Sequence, residues 1–428
     1  MADTPVPFSA SNARPPLMPL DEAIAQLLAK AVPKLADESV ITLDADGRVL
    51  AEDLVSGLTV PPRDNSAMDG YAVRAADCAT PGALLPVTQR IPAGTVGTPL
   101  AAGTAARIFT GAQIPEGADA VVMQEDTGAT PQEGSLGSVR VAIVPVAGQW
   151  VRRAGEDVAS GDVVLRKGER LTPAALGLAA SVGFHKLRVA RKPRVAMLST
   201  GDELVMPGEV APDAMAPGAI YNSNRFFMRA LLHRLGCEVN DLGIVADNRE
   251  TTIAALRDAA ETSDVIITTG GVSVGEEDHI RAALQTLGEL QLWSLSMKPG
   301  KPFAYGSIAR SNGQGVCHVT GLPGNPVSSF LTFLMLVRPF LLTLQGADRV
   351  TPEAVQMRAD FDWPRADKRR EFLRARRNAA GGLDLFANQS SGVLTSMVWG
   401  DGVVDNPSGR TIKSGDTVNF IPFASLLA

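Results

Sequence analysis

The sequence predicts a multidomain α/β protein with a mainly parallel α/β sheet domain, small β domains and an extended helix-containing segment. Three observations predict it. From Lys192 to about residue 345, buried strand-like runs alternate with amphipathic helical runs, the order that builds parallel sheets with crossover helices. From Pro61 to Gln149 the chain is rich in Gly and Pro, with short strand-like runs such as Ala105 to Phe109 and Ala120 to Met123, the pattern of a small β domain with tight turns. After Pro352 short alternating segments return, which predicts a separate small β domain. A chain of 428 residues is too long for one ordinary core and suits about three domains.

Taken in order, residues 17–56 open with a helical repeat (Leu20, Ala23, Ile24, Leu27, Leu28). Thr172 to Val182 reads as a helix with Thr172 as N-cap and Pro173 at its first position. The alternating region begins with strand Arg194 to Ser199, then helix Arg225 to Leu235 with Gly236 as its C′ glycine. Strand Glu238 to Val245, helix Glu250 to Glu261 and the β-branched strand Val265 to Thr269 follow, then helix Asp278 to Leu287 and two more strand-like runs. A long helix starts at Val327. Its greasiest stretch, Phe330 to Leu344, is too short for a bilayer and is interrupted by Arg338-Pro339, so it reads as a buried core helix.

Composition narrows the function classes. Forty Lys and Arg against 46 Asp and Glu leave a net charge of −6, with no cationic excess to displace phosphate counterions from nucleic acid. The basic run Arg365 to Arg377 is interleaved with Asp367 and Glu371 and reads as a solvated face. The first twenty residues carry prolines and no apolar h-region, and Cys78, Cys237 and Cys317 are too scattered for a zinc ribbon or disulfide framework. A cytoplasmic protein without membrane attachment is the expectation. Four dispersed histidines write no imidazole cage, so a bound metal would be held by oxygens.

Ligands of parallel sheets bind at the carboxyl ends of the strands. Three loops there stand out: Ser199-Thr200-Gly201-Asp202-Glu203-Leu204, Thr268-Thr269-Gly270-Gly271-Val272-Ser273-Val274-Gly275, and Gly321-Leu322-Pro323-Gly324-Asn325-Pro326. Glycines in the second let backbone N–H groups approach a bulky anion. In the third, Asn325 as N-cap and Pro326 at the first helical position would aim a helix dipole into the same crevice. Any one loop alone could be a tight turn; three on one sheet edge favour a site. Asp278, Asp247 and Glu203 lie beside these loops. They read equally as helix N-terminal charges or as oxygen ligands for a hard cation such as Mg²⁺. Lys298-Pro299-Gly300-Lys301-Pro302 places two ammonium groups on a proline-restricted turn, either a solvated surface turn or an oxyanion contact.

The motif set as a whole resembles the molybdopterin molybdenumtransferase family, the MoeA proteins, which include the C-terminal domain of gephyrin. The carrying segments, in family order, are residues 61–72 (PPRDNSAMDGYA), 107–112 (RIFTGA), 152–157 (RRAGED), the SerThrGlyAspGluLeu loop at 199–204, the TTGGVSVG loop running on to Asp278, the Lys298 to Pro302 turn and residues 322–326 (LPGNP). The α/β loops alone would also fit the related adenylyltransferase; the DNSAMDGYA segment and extra β domains favour the transferase over it, and a gephyrin-like scaffold ranks lower because nothing beyond the enzyme-like domains is present to serve that purpose.

The resemblance implies an extended segment built from residues 17–60 and 151–190, a β domain (61–150) inserted into it, an α/β molybdopterin-binding domain (191–345) and a C-terminal β domain (346–428). It implies a homodimer in which molybdate and adenylylated molybdopterin give molybdenum cofactor and AMP with Mg²⁺, next to the adenylyltransferase and cofactor-accepting enzymes. Carried over by position, Asp64, Thr110, Asp157, Glu203 and Asp278 are the expected catalytic residues. Ser199, Gly201, Asp247, Gly270, Gly271, Ser273, Lys298, Lys301, Pro323 and Pro326 are expected to contact substrate. Glu203, Asp247 and Asp278 are the expected Mg²⁺ ligands. Ser294 stands where the family often has a lysine, so one basic contact is missing or supplied elsewhere.

Overall fold

A computed structural model describes residues 17–427 except 33, 247, 272–278 and 314. The two stretches on either side of the inserted domain run beside each other as a ladder. Asp37–Ile41 pairs antiparallel with Lys186–Ala190, Leu54–Val55 with Val163–Leu165, and Asn65–Ser66 with Val151–Arg152. Their core is small: Leu50, Leu54, Leu165, Leu171, Leu187 and Val189. The helix of this segment runs Pro173–Ser181. Thr172 caps it, its side chain accepting the Ala175 N–H, with Pro173 at the first position where its missing N–H costs nothing.

Residues 65–152 enclose a six-stranded sheet ordered Ala120–Met123, Gly70–Val73, Ala105–Ile108, Ala83–Ile91, Ser138–Val141, Thr127–Thr130. Alternate residues feed two cores: Tyr71 and Val73 point to one, Ala72 to the other.

The α/β sheet has the order Glu238–Ile244, Arg194–Ser199, Val265–Thr269, Val316–Leu322, Pro302–Ala309, Gly288–Ser294. The first four strands are parallel. Pro302–Ala309 pairs antiparallel with both Gly288–Ser294 and Val316–Leu322, the three following one another in sequence without a crossover helix. Helices Arg249–Thr262 and His279–Leu287 cover one face with Ala196, Leu198 and Ile266. Helix Ser223–Arg234, the Pro326–Leu344 helix and the N-terminal helix Leu20–Ala29 cover the other with Val195, Met197 and Ile267. The helix expected at Arg225 starts two residues earlier because the Asn222 side chain caps it, accepting the Arg225 N–H at 3.1 Å.

The Pro326–Leu344 helix is mostly buried inside the fold, as expected of a core helix despite its apolar length. A wider π turn over Phe333–Val337 precedes Arg338-Pro339. Pro339 has no N–H for the carbonyl four residues back and its ring crowds that carbonyl, and a widened turn accommodates both. Asn325 occupies the cap position, but its side chain makes no cap bond; its carbonyl accepts Ser329 N–H instead.

The C-terminal sheet has the order Met297–Lys298, Arg370–Arg377, Gly402–Asn406, Thr417–Pro422, Val355–Arg358. Its first strand therefore belongs to the loop that leaves the α/β sheet, which stitches the two domains together. The basic run is only in part the solvated face its composition suggested: Arg365, Lys368, Arg376 and Arg377 are exposed, but the middle of the run turns inward. Arg374 is 1 % exposed and donates to Phe372 and Ser390 carbonyls and Ser396 Oγ, while Arg370 grips Asp405 with two bonds of 2.6 Å.

Candidate active site

The three loops converge at the carboxyl ends of the parallel strands around a crevice of about 480 Å³. Thr200, Glu203 and Leu204 come from the first loop, Thr269, Gly270 and Gly271 from the second, and Pro323, Gly324, Asn325 and Pro326 from the third. Gly270 N–H donates to Leu322 O at 3.1 Å, tying second loop to third. Gly270 has φ +89°, and a Cβ there would stand 2.9 Å from Thr200 O. Gly271 has φ +65°, and a Cβ there would stand 3.1 Å from Thr200 Oγ1 and 2.8 Å from Ile280. The glycines are therefore required twice, by conformation and by close approach of the first loop.

Ser199 is buried beneath the crevice, its Oγ 3.0 Å from Thr269 Oγ1. Gly201 has φ +142°, and Glu203 folds back over it so that a Cβ would meet the carboxylate at 2.6 Å. Glu203 is the single carboxylate on the described crevice wall. Asp247, Ser273 and Asp278 lie outside the described residues. A larger cavity, about 700 Å³ between residues 165–178 and 338–349, contains none of the three loops.

The two lysines part company. Lys298 donates to Glu371 Oε1 at 3.0 Å and lies 3.2 Å from Asp367 Oδ2, at the seam with the C-terminal sheet. Lys301 is exposed, and its neighbour Pro302 lines the crevice. Ser294 pairs with Pro302 in the sheet.

Asp64, Thr110 and Asp157 are absent from the crevice wall of their own chain. Asp64 accepts Ala154 N–H at 2.8 Å and Arg153 Nη1 at 2.6 Å, and these bonds, the Ala154 N–H foremost, hold its carboxyl below the ordinary value. Thr110 donates through both N–H and Oγ1 to Asp69 Oδ1, at 2.7 and 2.8 Å. Asp157 is exposed, with its N–H bonded to Val60 O at 3.1 Å.

Family models cover most of the chain: the MoeA N-terminal region (domain I and II) matches residues 18–183, a probable molybdopterin binding domain residues 196–343, and the MoeA C-terminal region (domain IV) residues 356–423. The molybdopterin molybdenumtransferase of Haemophilus influenzae is 37% identical over 420 residues, 96% of this chain and 100% of that protein. The chain belongs to the molybdopterin molybdenumtransferase family. A second member, molybdopterin molybdenumtransferase 2 of Mycobacterium tuberculosis, is 38% identical over 377 residues, 85% of this chain and 89% of that one. The fold agrees with a molybdenumtransferase: the crystal structure of the molybdopterin biosynthesis moeA protein from Pyrococcus horikoshii OT3 superposes with TM-score 0.78 at 29% identity, covering 95% of this chain and all of that one.

Residue patterns alone missed several parts of this molybdenumtransferase crevice. Asn224 donates to Gly324 O at 2.7 Å and lines the wall together with Ile220 and Ser328. Asn224 sits beside the helix cap Asn222, and a pair of Asn residues at a helix start reads first as capping. Asp69, which anchors Thr110, stands inside the DNSAMDGYA segment but was not singled out.

Proposed function

We propose that this chain inserts molybdenum into molybdopterin, taking molybdate and adenylylated molybdopterin to molybdenum cofactor and AMP. The observation that carries this reading is the convergence of the three loops on one crevice, with Gly270 and Gly271 bringing backbone to its floor, Glu203 on its wall, and Pro302, next in sequence to the exposed Lys301, lining it. Both substrates are anions, and opening a phosphoanhydride requires charge on the phosphates to be neutralised. The Gly270 N–H is spent on Leu322 O, so the Gly271 N–H and the Lys301 ammonium supply that neutralisation. Pro323 and Pro326 give the opposite wall a fixed backbone against which the substrate is oriented.

Among the described residues, no three carboxylates, histidines or cysteines gather around one point. One crevice carboxylate nevertheless fits Mg²⁺, which is commonly held by one or two carboxylates plus substrate phosphates. Glu203 would hold it, with Asp247 and Asp278 as the remaining assigned ligands. Bound there, the ion would screen phosphate oxygens.

Asp64, Thr110 and Asp157 complete the site from a second copy in a homodimer. What supports this is that these residues lie off the crevice wall of their own chain and that an isologous interface would bring each inserted domain to the partner's crevice. Three free, buried cysteines support a cytoplasmic setting. The adenylyltransferase reaction supplies the substrate, and cofactor-accepting enzymes take the product.

The test is AMP release by purified protein given adenylylated molybdopterin, with and without molybdate. Molybdate-dependent AMP release, accompanied by active cofactor, is expected. Consumption of ATP with unmodified molybdopterin in its place would assign the adenylyltransferase reaction and overturn the reading.

A further inference from the structure

Glu371 lies in the seam between the α/β domain and the C-terminal sheet and is 1 % exposed. Its strand pairs in parallel with Met297–Lys298, so that Lys298 stands opposite Glu371 in register. Three side chains donate to its carboxylate: Lys298 Nζ at 3.0 Å, Trp363 Nε1 at 2.8 Å and Asn406 Nδ2 at 3.3 Å. Asp367 adds a second carboxylate 3.2 Å from the same ammonium and is itself held by the Arg369 guanidinium. A carboxylate this deep is tolerated only when its charge is paired and its oxygens are bonded. Glu371 therefore commits Lys298 to one place. Burial disfavours the ammonium, but the bonds to Glu371 and Asp367 outweigh it and hold Lys298 above the ordinary lysine value.

That commitment reaches the crevice through five residues of chain. Lys298 begins the turn that ends at Pro302, which lines the crevice, and Lys301 is exposed between them. Gly300, at φ +114°, passes so close to the core helix that a Cβ would stand 2.5 Å from Thr332 Oγ1. The turn is held at its middle by the helix and at its start by Glu371.

We propose that Glu371 is a positioning residue for the oxyanion substrate: through Lys298 it fixes the Lys298–Pro302 turn, and with it Lys301, at the rim of the crevice. The proposal rests on the molybdenum-insertion reading for the identity of the oxyanion. Glu371 does not touch substrate; it acts through Lys298.

Glu371→Gln removes the charge and keeps the shape. Its KM for molybdate is expected to rise roughly tenfold while kcat changes far less, because a charge-assisted contact that places a binding group is lost. A structural role alone would lower the melting temperature and the active fraction and leave KM unchanged. Glu371→Asp, which retains the charge, should recover most of the affinity. Lys298→Met combined with Glu371→Gln should match Lys298→Met alone, since both act on one contact. The neutral pair and Glu371→Asp carry the test if Glu371→Gln folds poorly. Molybdate binding to the same variants by calorimetry reads the effect without turnover. If wild-type protein binds molybdate but releases no AMP, the insertion reading fails while the Glu371 comparison still stands. A Glu371→Gln protein with wild-type molybdate affinity, or a double variant whose losses add, overturns the proposal.

Discussion

Tyr305 Oη lies 2.9 Å from His318 Nδ1 inside the α/β domain, where both rings pack against Phe340. Burial holds the phenol protonated, its pKa raised to about 12, and holds the imidazole neutral, its pKa lowered to about 4. The neutral hydroxyl and the neutral ring therefore share one hydrogen bond with no charge on either partner. An unfolded chain takes up a proton on this histidine near pH ~6.5, whereas the native chain does so only near the lowered value. Stability is thus lost as pH falls between the two, by on the order of 3 kcal/mol. Urea unfolding of wild type and His318→Gln from pH 7 to 4 should show a shallower acid slope in the variant. Parallel slopes would remove His318 as the cause.

Asp264 anchors the opposite end of the parallel sheet. It is 5 % exposed and takes two 2.7 Å bonds from Arg191, the Arg194 N–H at 2.8 Å and Arg310 at 3.3 Å. Burial pushes its carboxyl up, but the Arg191 bonds and the Arg194 N–H outweigh burial and leave it below the ordinary value. Its contribution is therefore full above the unfolded carboxylate value of about 3.9 and lost as pH falls through the lower native value. Asp264→Asn should cost roughly 3 kcal/mol at neutral pH, the usual penalty for removing one partner of a buried pair. Chemical denaturation checks it; a loss below about 1 kcal/mol would mean the guanidiniums are satisfied by the neighbouring carbonyls instead.

Gly270 and Gly236 separate conformational strain from crowding. Both have positive φ, +89° and +72°, but a Cβ at Gly236 meets nothing within 4 Å, whereas one at Gly270 meets Thr200 O at 2.9 Å. Gly236→Ala should cost about 1 kcal/mol from its backbone alone. Gly270→Ala should cost roughly 1–3 kcal/mol and displace the loop that floors the crevice, reducing AMP release as well. Equal losses of stability, with activity intact in both, would mean the glycine loop does not shape the site.

Much of the α/β layer was legible beforehand. Val265–Thr269 announces itself as five residues buried on both faces, and Thr172-Pro173 as a cap followed by a residue that needs no donor. Pairings set by distant chain were not legible. Lys298 meets Glu371 across 73 residues and Thr110 meets Asp69 across 41, and which carboxylate finds which donor depends on sheet register, not on the motif around either residue. The basic run at 365–377 is solvated at its ends, as its composition suggests, but the inward turn of Arg370 was not legible for the same reason: its counter-charge Asp405 arrives on a later strand. For the crevice, glycine and proline positions were readable because backbone conformation is local. The Asn224 contact was not, since it depends on how a helix start meets a loop one hundred residues away.

A shared site makes a further demand on activity. Asp64→Ala and Glu203→Ala should each inactivate the protein. Mixed under conditions that exchange subunits, they should recover up to about a quarter of wild-type activity, since half of randomly formed dimers are mixed and each holds one intact crevice. Mass measurement confirms exchange. Background activity after confirmed exchange would place both residues in one chain's site.

The inserted domain leaves and rejoins the rest of the chain through two strands that touch, Asn65–Ser66 against Val151–Arg152. Topologically, everything between them is a side loop with its mouth already closed. Ordering that mouth brings together residues nearly ninety positions apart, and the entropy of doing so grows only slowly with the length enclosed. The flanking ladder can therefore assemble whether or not the insert has folded. A change confined to residues 67–150 should unfold the insert while leaving the α/β crevice able to bind its anion, a partly native state that differential scanning calorimetry would resolve as two transitions.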